Sequence, residues 1–300
     1  MSAVAPAAPP RVAVVDLGSN SLHLLIAALP PGQAPALLAV HRAQAELGRH
    51  INGRIDPARE ALTRDALAEM VSLARAWGVD VVEVAATASL RDAEDGVEVA
   101  ERLSAATGAR VRVLSGAEEA QATFLGVFTR AGQPGERLLV IDMGGRSTEL
   151  ILGEDGGILA DLSLPLGHLR ECSLSPEDEV RAALSAADAA RFSAAQVDRV
   201  VVTAGTALTL THMAALARGE HGEERHGRAA TLEELAAVAE RLNTLPLEAR
   251  RALPGYDLRR ERSLSRGAST LVALWRALGV SRVVACEAGL REGLIAARRR

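Results

Sequence analysis

The feature that most constrains this chain is a strand–turn–strand pattern that occurs twice. Asp16-Leu-Gly-Ser-Asn-Ser and Asp142-Met-Gly-Gly-Arg-Ser share the pattern Asp-x-Gly-x-x-Ser at an offset of 126 positions, and each lies between two apolar runs. A turn of small residues between strands lets backbone N–H groups converge on an anion. The repeat therefore predicts two facing phosphate clamps, each with a carboxylate: the first clamp (residues 16–21) and the second clamp (residues 142–147).

Strands and helices alternate along the rest of the chain. Apolar runs predict strands at 11–17 and 22–29, and helical periodicity predicts a helix at 57–77. The alternation restarts near residue 137 and indicates an α/β fold with mixed sheets. The duplication predicts two similar lobes with a cleft between them. The expected division is a disordered Ala/Pro-rich tail, 1–10, a first lobe, 11–125, and a second lobe, 126–300.

Composition excludes several classes of protein. The 300 residues are 48% hydrophobic, yet no apolar run is long and uncharged enough to span a membrane. A net charge of −4 and only 2% aromatic residues argue against nucleic-acid binding. The first ten residues lack the features of a signal peptide, so we expect a cytoplasmic location. Cys172 and Cys286 lack the spacing of a zinc site and are expected to be buried thiols.

The chain contains no lysine, so all 34 basic residues are arginine. This excludes the Walker lysine of a P-loop NTPase and the Schiff-base lysine of a pyridoxal phosphate enzyme. A bound phosphate must therefore be held by arginine, a helix N-terminus or a metal ion. One arginine cluster is either such a channel or a solvated helix face. The cluster comprises Arg250, Arg251, Arg259, Arg260, Arg262 and Arg266.

Two carboxylates belong to the second repeat. Asp142 ends a predicted strand, and Glu149 lies on the returning strand, where it can face the same pocket. A carboxylate repels a bound phosphate unless a cation intervenes, and Mg²⁺ is typically held by one or two carboxylates with substrate oxygens and water. We therefore predict an Mg²⁺ site at Asp142 and Glu149. The alternative is that Asp142 only caps its turn.

A third carboxylate lies where a helix is predicted to begin. Ser115 and Glu118 have the spacing of a helix capping box, which accounts for Glu118. Glu119 is left unassigned by that interpretation. A glutamate in the first turn of a helix at the junction of the lobes can activate a water molecule against a phosphoryl group.

Two more segments place polar groups just after predicted strands. Arg91 either binds phosphate through its guanidinium fork or pairs with Asp92 or Asp95. Gly205 and Thr206 open a helix after a strand, and such a helix start can offer N–H groups to an anion. This last signal is weak, since many α/β helices begin in this way.

Eight segments, in order and across nearly the whole chain, resemble the exopolyphosphatase and guanosine pentaphosphate phosphohydrolase (Ppx/GppA) family. They are Asp16-Leu-Gly-Ser-Asn-Ser, Ala86-Thr-Ala-Ser-Leu-Arg, Val113-Leu-Ser-Gly-Ala-Glu-Glu-Ala, Val140-Ile-Asp-Met-Gly-Gly, Ser147-Thr-Glu-Leu, Ser163-Leu-Pro-Leu-Gly, Ala204-Gly-Thr and Ala288-Gly-Leu-Arg-Glu-Gly. The resemblance implies an actin-like, sugar-kinase-like fold with two ribonuclease-H-like lobes, in the short form without further helical domains. It also implies a homodimer.

The resemblance further implies Mg²⁺-dependent hydrolysis of the terminal phosphate of polyphosphate or of guanosine pentaphosphate. In this interpretation Glu119 is the base that activates water, and Asp142 and Glu149 are the metal-associated acids, with Asp16 as a further metal candidate. The expected phosphate contacts are Ser19, Asn20, Ser21, Arg91, Gly144, Gly145, Arg146, Ser147, Thr148, Gly205 and Thr206.

This chain departs from the family pattern at three places. Arg146 stands where the second clamp usually has glycine, and a positive φ there would cost roughly 1–2 kcal/mol. Arg146 is expected either to grip substrate phosphate or to point to solvent and slow turnover. Asp95 replaces a usual asparagine, which either weakens anion binding or holds Arg91 in place. The arginine usual before Leu47 is missing, and Arg49 is a candidate to replace it.

The sequence leaves four candidate functions open. The leading one is an Mg²⁺-dependent exopolyphosphatase that uses inorganic polyphosphate. The nearest alternative is hydrolysis of guanosine pentaphosphate by the same residues, although nothing in the chain marks a guanine pocket. A non-catalytic polyphosphate or alarmone sensor is favoured only by Arg146. An actin-like ATPase or sugar kinase is disfavoured because Glu119 would then have no role.

Overall fold

A computed structural model describes residues 8–48, 50–51, 53–79, 81–170 and 172–298. Most of the expected tail at 1–10, and Arg49, lie outside the described residues. Within the described ranges, no helix is both long enough and apolar enough to cross a membrane.

Thirteen strands and eleven α-helices are present in the described part of the chain. The strands are β1 (Arg11–Leu17), β2 (Ser21–Ala28), β3 (Ala36–Gln44), β4 (His50–Ile51), β5 (Arg54–Ile55), β6 (Val82–Ala86), β7 (Arg110–Val113), β8 (Arg137–Met143), β9 (Thr148–Glu154), β10 (Gly157–Leu164), β11 (Arg199–Thr203), β12 (Ala229–Thr231) and β13 (Arg282–Ala285). The helices are α1 (Pro57–Ala76), α2 (Ala88–Arg91), α3 (Gly96–Thr107), α4 (Gly116–Ala131), α5 (Pro176–Ala183), α6 (Ala186–Arg191), α7 (Gly205–Ala217), α8 (Leu232–Thr244), α9 (Leu247–Arg251), α10 (Leu264–Ala277) and α11 (Leu290–Ala297).

Chain contacts divide the protein into two units. The first unit contains the residues up to Ser115 together with those from Leu294 onward, and the second unit is Gly116–Gly293. This division precedes α4, whereas the expected boundary at 125/126 cuts through that helix. The physical reason is packing, because Phe124 and Val127 of α4 are fully buried in a core with strands of the second unit.

In the first unit, five strands form one mixed sheet in the order β3-β2-β1-β6-β7. Strands β1, β2 and β3 pair antiparallel, while β6 and β7 run parallel to β1. Strand β1 is buried on both faces, as a continuous apolar run predicts. One face packs against α1 and α3 around Leu67 and Leu103, and the other contacts Ile295 of α11.

The second unit repeats this arrangement in a sheet of order β10-β9-β8-β11-β13-β12. Strands β8, β9 and β10 pair antiparallel, β11 and β13 run parallel to β8, and β12 is an added antiparallel edge strand. Its core surrounds the fully buried Trp275. Three antiparallel strands followed by two parallel ones in each unit confirm the predicted α/β class and the duplicated ribonuclease-H-like topology.

Side-chain caps fix several helix starts. The Asp56 carboxylate accepts the Ala58 N–H at the start of α1, where Pro57 occupies the first turn. Thr231 and Glu234 form a reciprocal capping box at the start of α8. Helix α1 therefore begins at its predicted position, residue 57.

Candidate functional site

The first clamp is a tight turn between β1 and β2. The Gly18 N–H donates to the Ser21 carbonyl over 3.2 Å. Asp16 near the end of β1 lies directly opposite His23 of β2. The His23 Nε2 and the Ser21 Oγ are 2.8 Å apart, so these two side chains form a hydrogen bond beside the turn. Ser19 and Ser21 are buried, and Asn20 is half-buried.

Arginine side chains accompany this turn in the first unit. The Arg42 Nη2 lies 3.4 Å from the Ser21 Oγ and donates to it. Arg91 ends α2, is half-buried and donates from its Nη1 to the Leu114 carbonyl over 3.1 Å. The Thr87 N–H, just before α2, donates to the Leu17 carbonyl, which ties this segment to the end of β1. The fold therefore brings Arg91 and the first clamp to one edge of the sheet.

The Asp95 carboxylate binds residues of the neighbouring β4–β5 hairpin. Its Oδ1 accepts the Ile55 N–H over 3.0 Å, and its Oδ2 lies 3.4 Å from the Arg54 guanidinium. The buried carboxylate thus secures β5 against the start of α3. This contact gives Asp95 a structural role, whereas the sequence suggested an effect on Arg91.

The second clamp repeats the turn between β8 and β9. The Gly144 N–H donates to the Ser147 carbonyl over 2.9 Å, as Gly18 does in the first clamp. Asp142 lies opposite Glu149 of β9 on one side and Thr203 of β11 on the other. Asp142 and Glu149 are thus cross-strand neighbours at the carboxyl end of β8, as the sequence predicts.

Glu149 is a strongly perturbed carboxyl group of the second unit. It is buried, and its pKa rises from 4.5 to about 8 because burial disfavours the charged form and the charges of Glu119 and Asp142 repel it. Hydrogen bonds from the hydroxyls of Ser147 and Ser163 oppose this rise. Glu119, in the first turn of α4, therefore acts electrostatically on Glu149.

The remaining predicted contacts of the second unit fall into two groups. Thr148 is buried, and its hydroxyl donates to the Leu166 carbonyl, so this side chain holds the loop after β10. Gly205 and Thr206 begin α7 directly after β11. The buried Thr206 hydroxyl lacks a hydrogen-bond partner in the described structure, and Ala204 before it has the strained dihedrals φ 61°, ψ 162°.

Arg260 is the residue of the arginine cluster that reaches this site. It is 8% exposed and forms an ion pair with Asp257 at 3.7 Å. Its guanidinium lies against Gly205, in the space that a Cβ there would occupy. The other arginines of the cluster that carry ion pairs in the described structure are Arg251 with Glu248 and Glu261, Arg259 with Asp257, and Arg266 with Glu179. The exposed members of the cluster fit the prediction of a solvated helix face. Arg260 does not fit it, because this side chain is buried by contacts with residues distant in the sequence.

The donor set of the second clamp fits a divalent cation. Within the described residues, no three His, Cys, Asp or Glu side chains form a metal-binding group. A cation at Asp142 and Glu149 would take these two protein carboxylates and complete its shell with other oxygens, which is the preference of Mg²⁺. It would also relieve the repulsion that raises the pKa of Glu149.

A duplicated α/β fold, with a small-residue turn in each unit and carboxylates beside the second turn, is the arrangement of an enzyme that acts on phosphate groups. The chain belongs to the Ppx/GppA phosphatase family, whose model matches residues 33–298. This membership confirms the resemblance that the eight sequence segments indicate.

Known proteins resemble the chain along nearly its whole length. Exopolyphosphatase 1 of Mycobacterium leprae (strain TN) is 29% identical over 95% of this chain and 88% of its own. Guanosine-5'-triphosphate,3'-diphosphate pyrophosphatase of Vibrio atlanticus (strain LGP32) is also 29% identical over 95% of this chain, which spans only 59% of that relative's length.

Solved structures agree with the fold. An exopolyphosphatase from Cytophaga hutchinsonii superposes with a TM-score of 0.86 at 20% identity, covering 96% of this chain and 97% of its own. The Ppx/GppA enzyme of Aquifex aeolicus gives a TM-score of 0.77 at 25% identity, covering 96% and 99%.

Proposed function

We propose that the protein is an Mg²⁺-dependent exopolyphosphatase, which hydrolyses the terminal phosphate of inorganic polyphosphate. The observation that carries this proposal is the buried Glu149, crowded by the charges of Glu119 and Asp142 beside an anion-binding turn. Family membership and the relatives named exopolyphosphatase support the same activity. Phosphoryl transfer needs chiefly positioning and charge stabilisation, which such a site supplies.

The first clamp is assigned to binding. Ser19, Asn20 and Ser21 form a turn with converging backbone groups, and Arg91 adds a guanidinium at the same edge of the sheet. Asp16 is the carboxylate of this turn and is proposed as a secondary metal contact. The cationic groups of this unit suit a polyanionic chain that carries no base.

The second clamp is assigned to catalysis. Gly144, Gly145, Arg146 and Ser147 contact phosphate, while Thr148 holds the turn from behind. Asp142 and Glu149 would hold Mg²⁺, which supplies positive charge against the phosphate oxygens. Glu119 accepts a proton from the attacking water, since a carboxylate in the first turn of a helix can serve as general base.

Gly205 and Thr206 complete the second unit's phosphate contacts. The start of α7 directs backbone N–H groups outward from the helix, and the buried hydroxyl of Thr206 supplies a further polar group. Arg260 against Gly205 places a positive charge at the same helix start. These groups suit the additional charge of a phosphate chain.

Guanosine pentaphosphate is the second candidate substrate. A relative named for guanosine-5'-triphosphate,3'-diphosphate is as similar to this chain as the M. leprae exopolyphosphatase, at 29% identity each. The low aromatic content of 2% leaves few groups on which a guanine base can stack. A catalytically weak sensor of either ligand is the third candidate, and Arg146 in place of glycine is the feature that favours it.

We also propose a cytoplasmic homodimer, as the family resemblance implies. Light scattering of the purified protein measures the oligomeric state directly, and a mass equal to one chain at working concentration would contradict the dimer. The location is tested by fractionating cells that express the protein.

The decisive experiment compares substrates. Phosphate release is measured with short polyphosphate, long polyphosphate and guanosine pentaphosphate, each with Mg²⁺ and with a chelator. We expect rapid release from polyphosphate only with Mg²⁺. Preferential release from guanosine pentaphosphate would replace the first candidate by the second, and binding of polyphosphate without release would favour the sensor.

A further inference from the structure

A short segment lies behind each clamp and bonds to its backbone carbonyls. In the first unit, strap 1 (residues 45–48) follows β3. The N–H groups of Ala45 and Glu46 donate to the Asn20 carbonyl over 3.2 and 3.0 Å. The Gly48 N–H donates to the Ser19 carbonyl over 2.8 Å. The carbonyls of Ser19 and Asn20 are therefore directed toward strap 1.

Strap 2 (residues 166–169) follows β10 and does the same in the second unit. The His168 N–H donates to the Gly144 carbonyl over 3.2 Å, and the Leu169 N–H donates to the Gly145 carbonyl over 2.8 Å. The Leu166 carbonyl accepts the Thr148 hydroxyl. Strap 2 thus holds the second clamp at the turn and at the start of the following strand.

Because peptide geometry is fixed, these bonds also determine which N–H groups lie on the opposite face of each turn. A trans peptide carries its C=O and N–H on opposite sides of the chain. If strap 1 receives the carbonyls of Ser19 and Asn20, the N–H groups of Asn20 and Ser21 must face away from it. By the same rule, the N–H groups of Gly145 and Arg146 face away from strap 2.

One glycine in each strap allows the approach that these bonds need. A Cβ at Gly48 would lie 2.6 Å from the Ser19 Cβ and 3.2 Å from the Ser19 carbonyl oxygen. A Cβ at Gly167 would overlap the Gly145 oxygen and the Arg146 carbonyl carbon. Neither glycine has a positive φ, so close approach is the reason that each position needs glycine.

We propose that Gly48 and Gly167 are positioning residues, which let the straps turn the peptide N–H groups of each clamp toward substrate phosphate. This inference rests on the proposed function. It assigns phosphate recognition in the second clamp to the main chain of Gly145 and Arg146, whatever the Arg146 side chain does. In this proposal strap 1 positions only the first clamp, and strap 2 positions only the second clamp.

Three variants of the full chain test the proposal: Gly167→Ala, Gly48→Ala and the control Gly157→Ala. Gly157 has no positive φ, and an added Cβ there meets its nearest atom, the Glu154 oxygen, at an ordinary 3.5 Å. Hydrogen exchange is measured for the backbone amides of both clamps without substrate. KM and kcat are measured for phosphate release from polyphosphate.

We expect Gly167→Ala to speed exchange in residues 144–147 but not in 18–21, and Gly48→Ala to do the reverse. Each is expected to raise KM by about tenfold, since displacement of an aligned group by about 1 Å has effects of this order or larger. Gly157→Ala should resemble the wild type in both measurements.

The proposal is overturned if exchange in the matching clamp is unchanged, or if either variant speeds exchange in both clamps equally, which is the result of general destabilisation. If Gly167→Ala does not fold, Gly48→Ala carries the same test in the first unit. If the wild type releases no phosphate, the proposed function fails, while hydrogen exchange still decides the role of the straps.

Discussion

The two clamps have the same backbone and different chemistry. In each, a glycine N–H closes the turn on a serine carbonyl, and an aspartate ends the preceding strand. The residue across from that aspartate differs: Asp16 faces His23, whereas Asp142 faces Glu149. Because these positions are cross-strand partners, one substitution changes the charge beside the aspartate without altering the turn.

The charged side chains around the two clamps also differ. Arg42 and Arg91 lie in the first unit near its clamp, whereas Glu119 acts electrostatically on Glu149 beside the second clamp. Under the proposed function, the cations of the first clamp would stabilise an anion directly, whereas the second clamp would need a metal ion to accept one. Under the proposed function, the duplicated fold divides binding from catalysis through a few side chains around two turns of the same backbone.

The largest expected effect is on the proposed catalytic base. Glu119→Gln should lower kcat by about a thousandfold, because general bases contribute roughly 10²–10⁴-fold. KM for polyphosphate should change little, since the clamps are intact. Phosphate release under saturating substrate measures this effect. Glu118→Gln is the matched control, because it removes the same charge one residue away in the same turn of α4.

A second experiment measures how the acid beside the second clamp affects the pH dependence of stability. Glu149 has a pKa raised to about 8 in the folded protein, above its usual 4.5. Between these values the folded chain binds more protons than the unfolded chain, so the free energy of unfolding should fall as pH rises. Without Mg²⁺, we expect Glu149→Gln to remove roughly 1–2 kcal/mol of this fall between pH 6 and 8.

Urea unfolding at both pH values measures that difference. Addition of Mg²⁺ should stabilise the wild type at pH 8 more than the Glu149→Gln variant, because the ion favours the charged carboxylate. Equal pH dependence in wild type and Glu149→Gln would remove the electrostatic distinction between the clamps.

Much of the fold could be predicted from the sequence because its signals are local. The apolar runs of β1, β2, β8 and β9 and the capped start of α1 lie within a few residues of where the pattern puts them. Short elements such as β12 were not predicted, because three residues carry no periodicity. The unit boundary was also placed too late, since it depends on which sheet α4 packs against.

The candidate site was predictable only in part, for the same reason. The offset of 126 between the clamps identifies Asp142, and the neighbouring strand identifies Glu149. The burial of Arg260 against Gly205 joins residues 55 positions apart, and a single sequence carries no signal for that contact. The straps are likewise set by long-range hydrogen bonds, for which a single sequence carries no signal.

Arg91 tests whether the first clamp binds without catalysing. Arg91→Ala should raise KM for polyphosphate by about tenfold and leave kcat within a fewfold of the wild type, because a charge-assisted hydrogen bond contributes roughly 1.5–3 kcal/mol. Steady-state kinetics separate the two constants. Arg112→Ala, an exposed arginine of the same unit, controls for the loss of one charge. A thousandfold loss of kcat would assign Arg91 to catalysis and end the division of roles.

The smallest expected effect concerns the one side chain by which the second clamp departs from its relatives. Among the described residues, the non-glycine positions with positive φ are Glu46, Asp155 and Ala204, so Arg146 occupies its turn without the strain that the sequence suggested. Arg146→Gly should therefore not stabilise the protein. It should raise KM about fivefold if the guanidinium grips phosphate. Arg146→Ala removes the guanidinium without adding the backbone freedom of glycine. An equal rise of KM in Arg146→Gly and Arg146→Ala would attribute the effect to the guanidinium, and an unchanged or lower KM in Arg146→Gly would show that the guanidinium does not hold substrate.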